Sequence, residues 1–511
     1  MTGSAMPPQI HIERAGVVGA GVMGSGIAEV LASAGIDVML MDGEAGKAEA
    51  ALEQIAARRR ARAAAGKADP QAVEKLLAHI RPVDRLDELA GADLVVEAIV
   101  ERLEPKRELL RALERIVAPQ AIIATNTSSL SVTAIAAAAE RPQRVAGYHF
   151  FNPVPAMKVV EVISGAHTAA EVENALVDLA GRFGHRAVRA SDTPGFIVNH
   201  AGRAFGTEAL AMLGEGVAPV ANIDTILRDA AGFRMGPFEL LDLTGLDVSH
   251  PVMESVYEQF YQDARYRPSV ITAQRLTAGL LGRKTGKGFY AYEENRPIVP
   301  PRPQSAGGPV PDRVVVLGDD DAGQMRHLLE SAGHRVCADP AEAAKDGGLV
   351  LVGLEGEDVT GAVVRLGLPA AATVGFDACF GLDRHITLVA SPATSGQAGA
   401  AALALAESAG RKATLVNDSC GAVCQRVVAM IVNIGSLIVE RNIASPADVD
   451  AAVRLGLGYP HGPLEWGDSI GPARVLRILD AIHARTRDPR YRASLWLRRR
   501  AQLGLALSGT P

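Results

Sequence analysis

Two stretches of this 511-residue chain repeat each other. Residues 14–42 read RAGVVGAGVMGSGIAEVLASAGIDVMLMD, and residues 312–339 read DRVVVLGDDDAGQMRHLLESAGHRVCAD. Gly318 and Gly323 stand 299 residues after Gly19 and Gly24. Further along, NDSCG at 417 follows SDTPG at 191, and HGPLEWGDSIG at 461 follows MGPFELLDLTG at 235, both at an offset of 226. A chain with this internal period is a tandem duplication and folds as two related halves. The offset drops from 299 to 226, so the second copy is 73 residues shorter in its first part. GLVLVGLEGED (348–358) aligns with ADLVVEAIVER (92–102) at an offset of about 256. That places most of the loss between the second strand of the later copy and this one.

The first copy alternates short apolar runs with helical stretches up to about residue 190, among them ADLVVEAIV, QAIIATNT and RVAGYHF. Strands alternating with helices imply a mostly parallel sheet covered on both faces. From SDTPGFIVN to residue 290 the pattern is helical with few strand signals. ENRPIVPPRPQSAGGPVP is rich in Pro and Gly and reads as a linker. The expected order is therefore a disordered tail (1–13), an α/β Rossmann domain (14–190), an all-α domain (191–293) and a linker (294–311). A degenerate, shortened Rossmann-like domain (312–414) and a second all-α domain (415–511) follow.

Net charge is −6, which supplies no general field for nucleic acid or membrane surfaces. No apolar run reaches the ~18 residues of a membrane span, and the first residues lack signal-peptide character. The four cysteines lie only in the second half. Cys420 and Cys424 have no second pair or nearby histidine, so they read as buried apolar residues and no metal is expected. These features suit a cytoplasmic protein.

Gly19-Ala20-Gly21-Val22-Met23-Gly24 follows an expected strand and opens an expected helix. Gly19 permits the tight turn, Gly21 lets a pyrophosphate approach the backbone, and Gly24 allows close helix–strand packing. The helix N-terminus adds free N–H groups and partial positive charge. Asp42 ends the next strand, where an acid accepts hydrogen bonds from ribose hydroxyls and repels a 2′-phosphate. This context points to NAD rather than NADP. In the later copy Asp320 replaces the middle glycine, and a carboxylate there would fill and repel the pyrophosphate position. Residues 312–414 are thus expected to bind no dinucleotide.

GYHFFNPVPAMKVVEV (147–162) carries His149 and, twelve residues on, Glu161. Two adjacent strands would bring them together as a general base and the carboxylate that fixes its tautomer. Spacing alone favours a structural histidine. However, NTSSL (126–130), HFFNPVPAMKVVEV, DTPGFIVN (192–199) and MGPFELLDLTGLD (235–247) resemble the signatures of the L-3-hydroxyacyl-CoA dehydrogenase family. The likeness covers residues 14 to about 293, and the later half is similar to the family's extended members. Those include 3-hydroxybutyryl-CoA and 3-hydroxyadipyl-CoA dehydrogenases.

The resemblance implies NAD-dependent oxidation of the C3 hydroxyl of an acyl-CoA, with His149 as base, Glu161 as its partner, and Ser128 and Asn199 on the substrate oxygen or the base. It also implies that Asp42, Glu101, Lys106, Asn126, Ser128, Asn152 and Lys284 serve the cofactor, and that Arg58 or Arg59 meets CoA phosphates. Alternatives are a β-hydroxyacid dehydrogenase acting on free acids, against which the His149/Glu161 pair argues, and a non-catalytic NAD-binding relative.

In the later copy HITLVASP (385–392) is aligned with RVAGYHFFNP, putting Leu388 opposite His149, and Gln425 falls opposite Asn199. One active site per chain is expected. The family's helical domain pairs with another copy, so a homodimer is one arrangement. The other is an internal partnership between the two helical domains, for which the shared GP-x-E-x-x-D-x-x-G pattern is read as a packing motif.

Overall fold

The computed structural model describes residues 10–298, 308–318, 320–337 and 348–509. They form two compact units. The first takes the chain up to His200 together with Arg441–Leu457, and the second takes Ala201–Glu440 with the residues from Gly458 onward.

The first unit holds an eight-stranded sheet. Its strands are β1 (Arg14–Val18), β2 (Asp37–Met41), β3 (Ile80–Val83), β4 (Leu94–Glu97), β5 (Ile122–Thr125), β6 (Val145–Phe150), β7 (Val159–Ser164) and β8 (Arg186–Ser191). Their order is β3-β2-β1-β4-β5-β6-β7-β8. All neighbours are parallel except β6 and β7, so β7 and β8 run against the other six. Both faces are apolar. Leu94, Val96, Ile122 and Ala124 join the core on one face, whereas Val95 and Ile123 join that on the other. Two buried faces explain near-continuous apolar runs in place of alternation.

Burial of Ile12 brings order into the last residues of the expected tail. At the other end of the expected linker, residues 291–298 form a hairpin of β9 (Ala291–Glu293) and β10 (Arg296–Ile298). Glu294 and Asn295 turn it with positive φ. The Pro-rich composition of this stretch outweighed that turn signal.

The second sheet has six strands, β11 (Val314–Leu317), β12 (Val336–Cys337), β13 (Leu349–Gly353), β14 (Thr373–Asp377), β15 (His385–Ala390) and β16 (Lys412–Asn417), in the order β12-β11-β13-β14-β15-β16. Its ladder corrects two alignments. β14 and β15 are antiparallel and β15 and β16 parallel, as are β6, β7 and β8. Asp418 accepts the Val359 and Thr360 N–H groups as Asp192 accepts those of Val132 and Thr133. β13 therefore corresponds to β5, not β4. Asp377, paired with Thr387, occupies the position of His149, paired with Glu161; Leu388 does not. A five-residue apolar run fits any buried strand, and only register and capping identify it.

The shared GP-x-E-x-x-D-x-x-G pattern is likewise local in origin. Glu239 and Glu465 accept the N–H of Gly236 and Gly462 at the starts of their helices, each with Pro at the first position. Asp242 then holds Phe289 and Tyr290, and Asp468 holds Leu507 and Ser508.

The paired glycines differ in need. A Cβ on Gly24 would stand 1.6 Å from the Gly19 carbonyl oxygen, whereas one on Gly323 meets nothing within 4 Å. Gly24→Ala is expected to lower the thermal midpoint of the full chain by several degrees. Gly323→Ala, in a helix interior, should leave it unchanged or raise it, gaining about 0.5–1 kcal/mol. Thermal unfolding followed by circular dichroism compares the two.

Candidate active site

The helix Val22–Ser33 begins at Gly21, where a Cβ would meet nothing within 4 Å, so the space above the turn is open. Gly19 has φ 103° and lies so close to Ala98 that a Cβ would stand 2.5 Å from its carbonyl oxygen. Asp42 Oδ2 accepts the Ala20 N–H at 2.7 Å and Oδ1 accepts that of Glu44 at 3.1 Å. Partial burial works to raise its pKa, but these N–H groups and Lys47 prevail and hold it below the usual carboxylate value. Val22 is exposed at the helix start, and Met23 packs toward the core. An open turn, free N–H groups and an ionised acid beside them fit the pyrophosphate and ribose of NAD.

At the C-terminal edge of β4 and β5 stands a network of carboxylates and hydroxyls. Glu101 Oε1 accepts the Ser128 N–H at 2.7 Å, the Ser129 N–H at 2.9 Å and the Thr127 hydroxyl at 2.8 Å, with the Ser128 hydroxyl at 3.2 Å. Burial pushes the Glu101 pKa up, but Lys106 and these donors outweigh it and the net shift is downward. Lys106 is itself buried, its Nζ 2.8 Å from Glu97 Oε1 and 3.5 Å from Glu101 Oε2. Asn126 Oδ1 accepts the Phe150 N–H at 2.8 Å, tying β5 to β6.

The antiparallel register places His149 directly opposite Glu161. His149 Nδ1 and Glu161 Oε2 are 2.6 Å apart, and both residues are buried. Since the carboxylate only accepts, Nδ1 carries the proton and Nε2 is left for a substrate. The other oxygen, Oε1, accepts the N–H groups of Ile197 and Val198 at 2.9 and 3.0 Å, so the buried charge is fully compensated. Asn199 follows at once, and its Nδ2 donates to the Ser128 carbonyl at 3.4 Å. Glu161 thus links His149 to the segment that leads into Asn199, and Asn199 reaches Ser128.

A cavity of about 860 Å³ opens beside the glycine turn, lined by Gly21, Glu29, Arg58, Arg59, Asn152 and Lys158 among others. Of the three consecutive arginines, Arg58 and Arg59 face it, whereas Arg60 pairs with Glu74. Lys284 belongs to the second unit and pairs with Asp247 at 2.6 Å. The carboxylates of Glu29, Glu97 and Asp192 were not singled out from sequence. The signal was an acid within a strongly apolar run, as in GIAEVLASAG and LVVEAIV.

Residues 14–193 match the 3-hydroxyacyl-CoA dehydrogenase NAD-binding domain. Residues 195–292, and again 421–508, match the 3-hydroxyacyl-CoA dehydrogenase C-terminal domain. The chain belongs to the 3-hydroxyacyl-CoA dehydrogenase family. It is 38% identical to the 3-hydroxyadipyl-CoA dehydrogenase of Escherichia coli (strain K12), over 97% of this chain and 98% of that one. Against a probable 3-hydroxybutyryl-CoA dehydrogenase of Bacillus subtilis (strain 168) it is 41% identical, over 56% of this chain and 99% of the relative. The crystal structure of 3-hydroxybutyryl-CoA dehydrogenase from Escherichia coli K12 matches with a TM-score of 0.84 and 37% identity, over 96% of this chain and 99% of that one. The family's NAD-binding domain is therefore the first copy.

The second copy carries different chemistry at the matching positions. The Gln425 amide is spent within the fold, since Nε2 donates to Asp377 Oδ1 at 2.9 Å and to the Leu354 carbonyl at 2.7 Å, and Oε1 accepts from Gly356. The side chains of Asp319, Asp320 and Asp321, expected to block that copy's turn, lie outside the described residues. Among the described residues no group of His, Cys, Asp and Glu is arranged to hold a metal ion, and no helix is long and apolar enough to cross a membrane.

Gly21→Val puts a side chain into the open space, its Cβ clear of protein by 4 Å. It is expected to leave the thermal midpoint unchanged and to abolish the fluorescence change of NADH on titration.

Proposed function

We propose that the protein oxidises the 3-hydroxyl of an (S)-3-hydroxyacyl-CoA to the 3-oxo thioester with NAD. The observation that carries this reading is the buried His149–Glu161 pair, 2.6 Å apart and compensated by two backbone N–H groups. NAD, when bound over the Gly19–Gly24 turn, supplies the hydride acceptor. His149 Nε2 takes the hydroxyl proton, and Glu161 holds the ring and stabilises the imidazolium. Ser128 and Asn199, on the same side of the site, donate to the substrate oxygen as its charge develops, a contribution of about 3 kcal/mol in comparable sites. Asp42 holds the adenosine ribose, with Glu101, Lys106, Asn126, Asn152 and Lys284 as further cofactor contacts. Arg58 and Arg59 take CoA phosphates. The acyl chain is of the 3-hydroxybutyryl or 3-hydroxyadipyl type; of two matches that span nearly the whole chain, one bears the adipyl name and one the butyryl name.

His149→Gln should leave the Kd of NADH within about twofold while lowering kcat by at least ~100-fold, the scale of a lost general base. Persistent turnover would mean that another group is the base. Comparing kcat/KM on 3-hydroxybutyryl-CoA and 3-hydroxyadipyl-CoA measures the acyl preference.

The second half, in this reading, is the internal partner of the first. Two backbone hydrogen bonds support it. The Ser191 N–H donates to the Ile443 carbonyl at 2.8 Å, and the Asn417 N–H donates to the Val217 carbonyl at 2.9 Å. These are the same contact with the copies interchanged, since 417 follows 191 and 443 follows 217 by 226. The helix Pro446–Leu457 packs on β7 and β8, and its counterpart Val220–Asp229 packs on β15. We read the four-domain order of the sequence in this light, each helical domain lending one helix to the other copy's sheet. A Cβ on Gly456 would lie 3.0 Å from Val198 Cγ2, within the segment that holds Glu161. Gly456→Leu should therefore lower kcat by about tenfold or more, on the scale of 1.4 kcal/mol, despite its distance in sequence. An unchanged kcat in steady-state assays would remove the internal-partner reading.

A further inference from the structure

Glu29 is the only acid among the residues lining the cavity beside the glycine turn, and Lys47, Arg58, Arg59, Arg62 and Lys158 line it too. It lies on the helix Val22–Ser33 and is 1% exposed. An isolated buried carboxylate is costly, and this one is matched twice. Arg59 Nε donates to Oε1 at 2.5 Å, and Arg58 Nη2 donates to Oε2. Each guanidinium has five N–H donors, so one is used on Glu29 and four remain on each for a ligand. Arg58 is half exposed and Arg59 a quarter exposed, which leaves those donors facing the cavity.

Adjacent residues on a helix point about 100° apart, and free arginine side chains carry roughly 2 kcal/mol of rotamer entropy each. Arg58 and Arg59 converge only because one carboxylate takes both, while Glu74 draws Arg60 away. We propose that Glu29 is a positioning residue that pre-organises Arg58 and Arg59 as a clamp for the phosphates of the CoA 3′-phospho-ADP moiety. This rests on the CoA reading given above. The phosphates of NAD are served by the open turn at Gly21. A further set of cations across the cavity calls for a second polyanion, and coenzyme A carries three phosphates. Holding the donors in place before binding lowers the ordering cost of association. The effect appears in CoA affinity and not in the chemical step.

The test reads kcat and KM for acetoacetyl-CoA and for acetoacetyl-pantetheine, which has the same thioester without the nucleotide. In Glu29→Gln the KM for acetoacetyl-CoA should rise about tenfold. The kcat, the KM for acetoacetyl-pantetheine and the Kd of NADH should stay within about twofold of wild type. No rise, or an equal rise for both substrates, overturns the proposal. If Glu29→Gln is insoluble, Glu29→Asp keeps the charge but withdraws it by one methylene, and is read in the same way. The double variant Arg58→Ala/Arg59→Ala separates the two readings. If it leaves the KM for acetoacetyl-CoA unchanged, these arginines do not bind CoA. If it raises that KM and Glu29→Gln does not, the clamp stands and the role of Glu29 fails. In the double-variant background Glu29→Gln should add nothing.

Discussion

A single cross-strand pair organises the catalytic unit. His149 and Glu161 meet because β7 runs against β6 in a sheet that is otherwise parallel up to that point. Side chains alternate along a strand, so a slip of one residue would turn either partner to the opposite face. Register is fixed from several sides. Asn126 holds the Phe150 N–H, and the turn before the Val198 helix supplies two N–H groups to Glu161. A carboxylate with no exposure is tolerable there only because each oxygen is matched. The compensating N–H groups belong to the segment that leads straight into Asn199, so Asn199 and the His149–Glu161 pair are positioned by the same contacts.

The two copies separate what holds the fold from what performs chemistry. Both keep the aspartate that caps the helix after the fifth strand, the glutamate that closes the GP-x-E turn, and the reciprocal N–H···O bond between copies. The later copy has Asp377 and Thr387 where the first has His149 and Glu161. Asp377 and Gln425 bond to each other, and Gln425 spends its remaining amide groups on Leu354 and Gly356. An amide saturated within the fold offers nothing to a substrate oxygen.

Much of this was legible in the sequence, for physical reasons that differ by feature. The glycine turn was readable because Gly19 and Gly24 leave no room for a side chain, and no other residue serves there. The His149 and Glu161 pairing was readable through the twelve-residue spacing of two strands and a short connection, once the surrounding motifs were considered. The identity of β13 was not, because LVLVG states only that a strand is buried. Its partner strands lie far along the chain. Glu29 was legible only as an acid in an apolar run, since its contacts depend on two arginines a helix away. Arg58 and Arg59 could be singled out by charge, but a basic run on a helix does not say which members turn inward. Two carboxylates, Glu29 and Glu74, make that choice.

The shortening of the second copy follows from the same division of labour. Only eleven residues separate β12 from β13, too few to hold counterparts of β3, β4 and the helix that carries Arg58 and Arg59 together. In the proposed reading those elements lie at the cofactor and CoA ends of the first copy. What the exchange needs is elsewhere, in β15, β16 and the Asn417 N–H that meets Val217. Losing the ligand-binding side therefore costs the partnership nothing, whereas losing β15 or β16 would leave the helix Val220–Asp229 without the strand it packs on. In the internal-partner reading, covalent linkage keeps the second half at high effective concentration without new contacts. A duplicated chain can then shed one set of chemistry and still supply the helix that braces β7, the strand bearing Glu161.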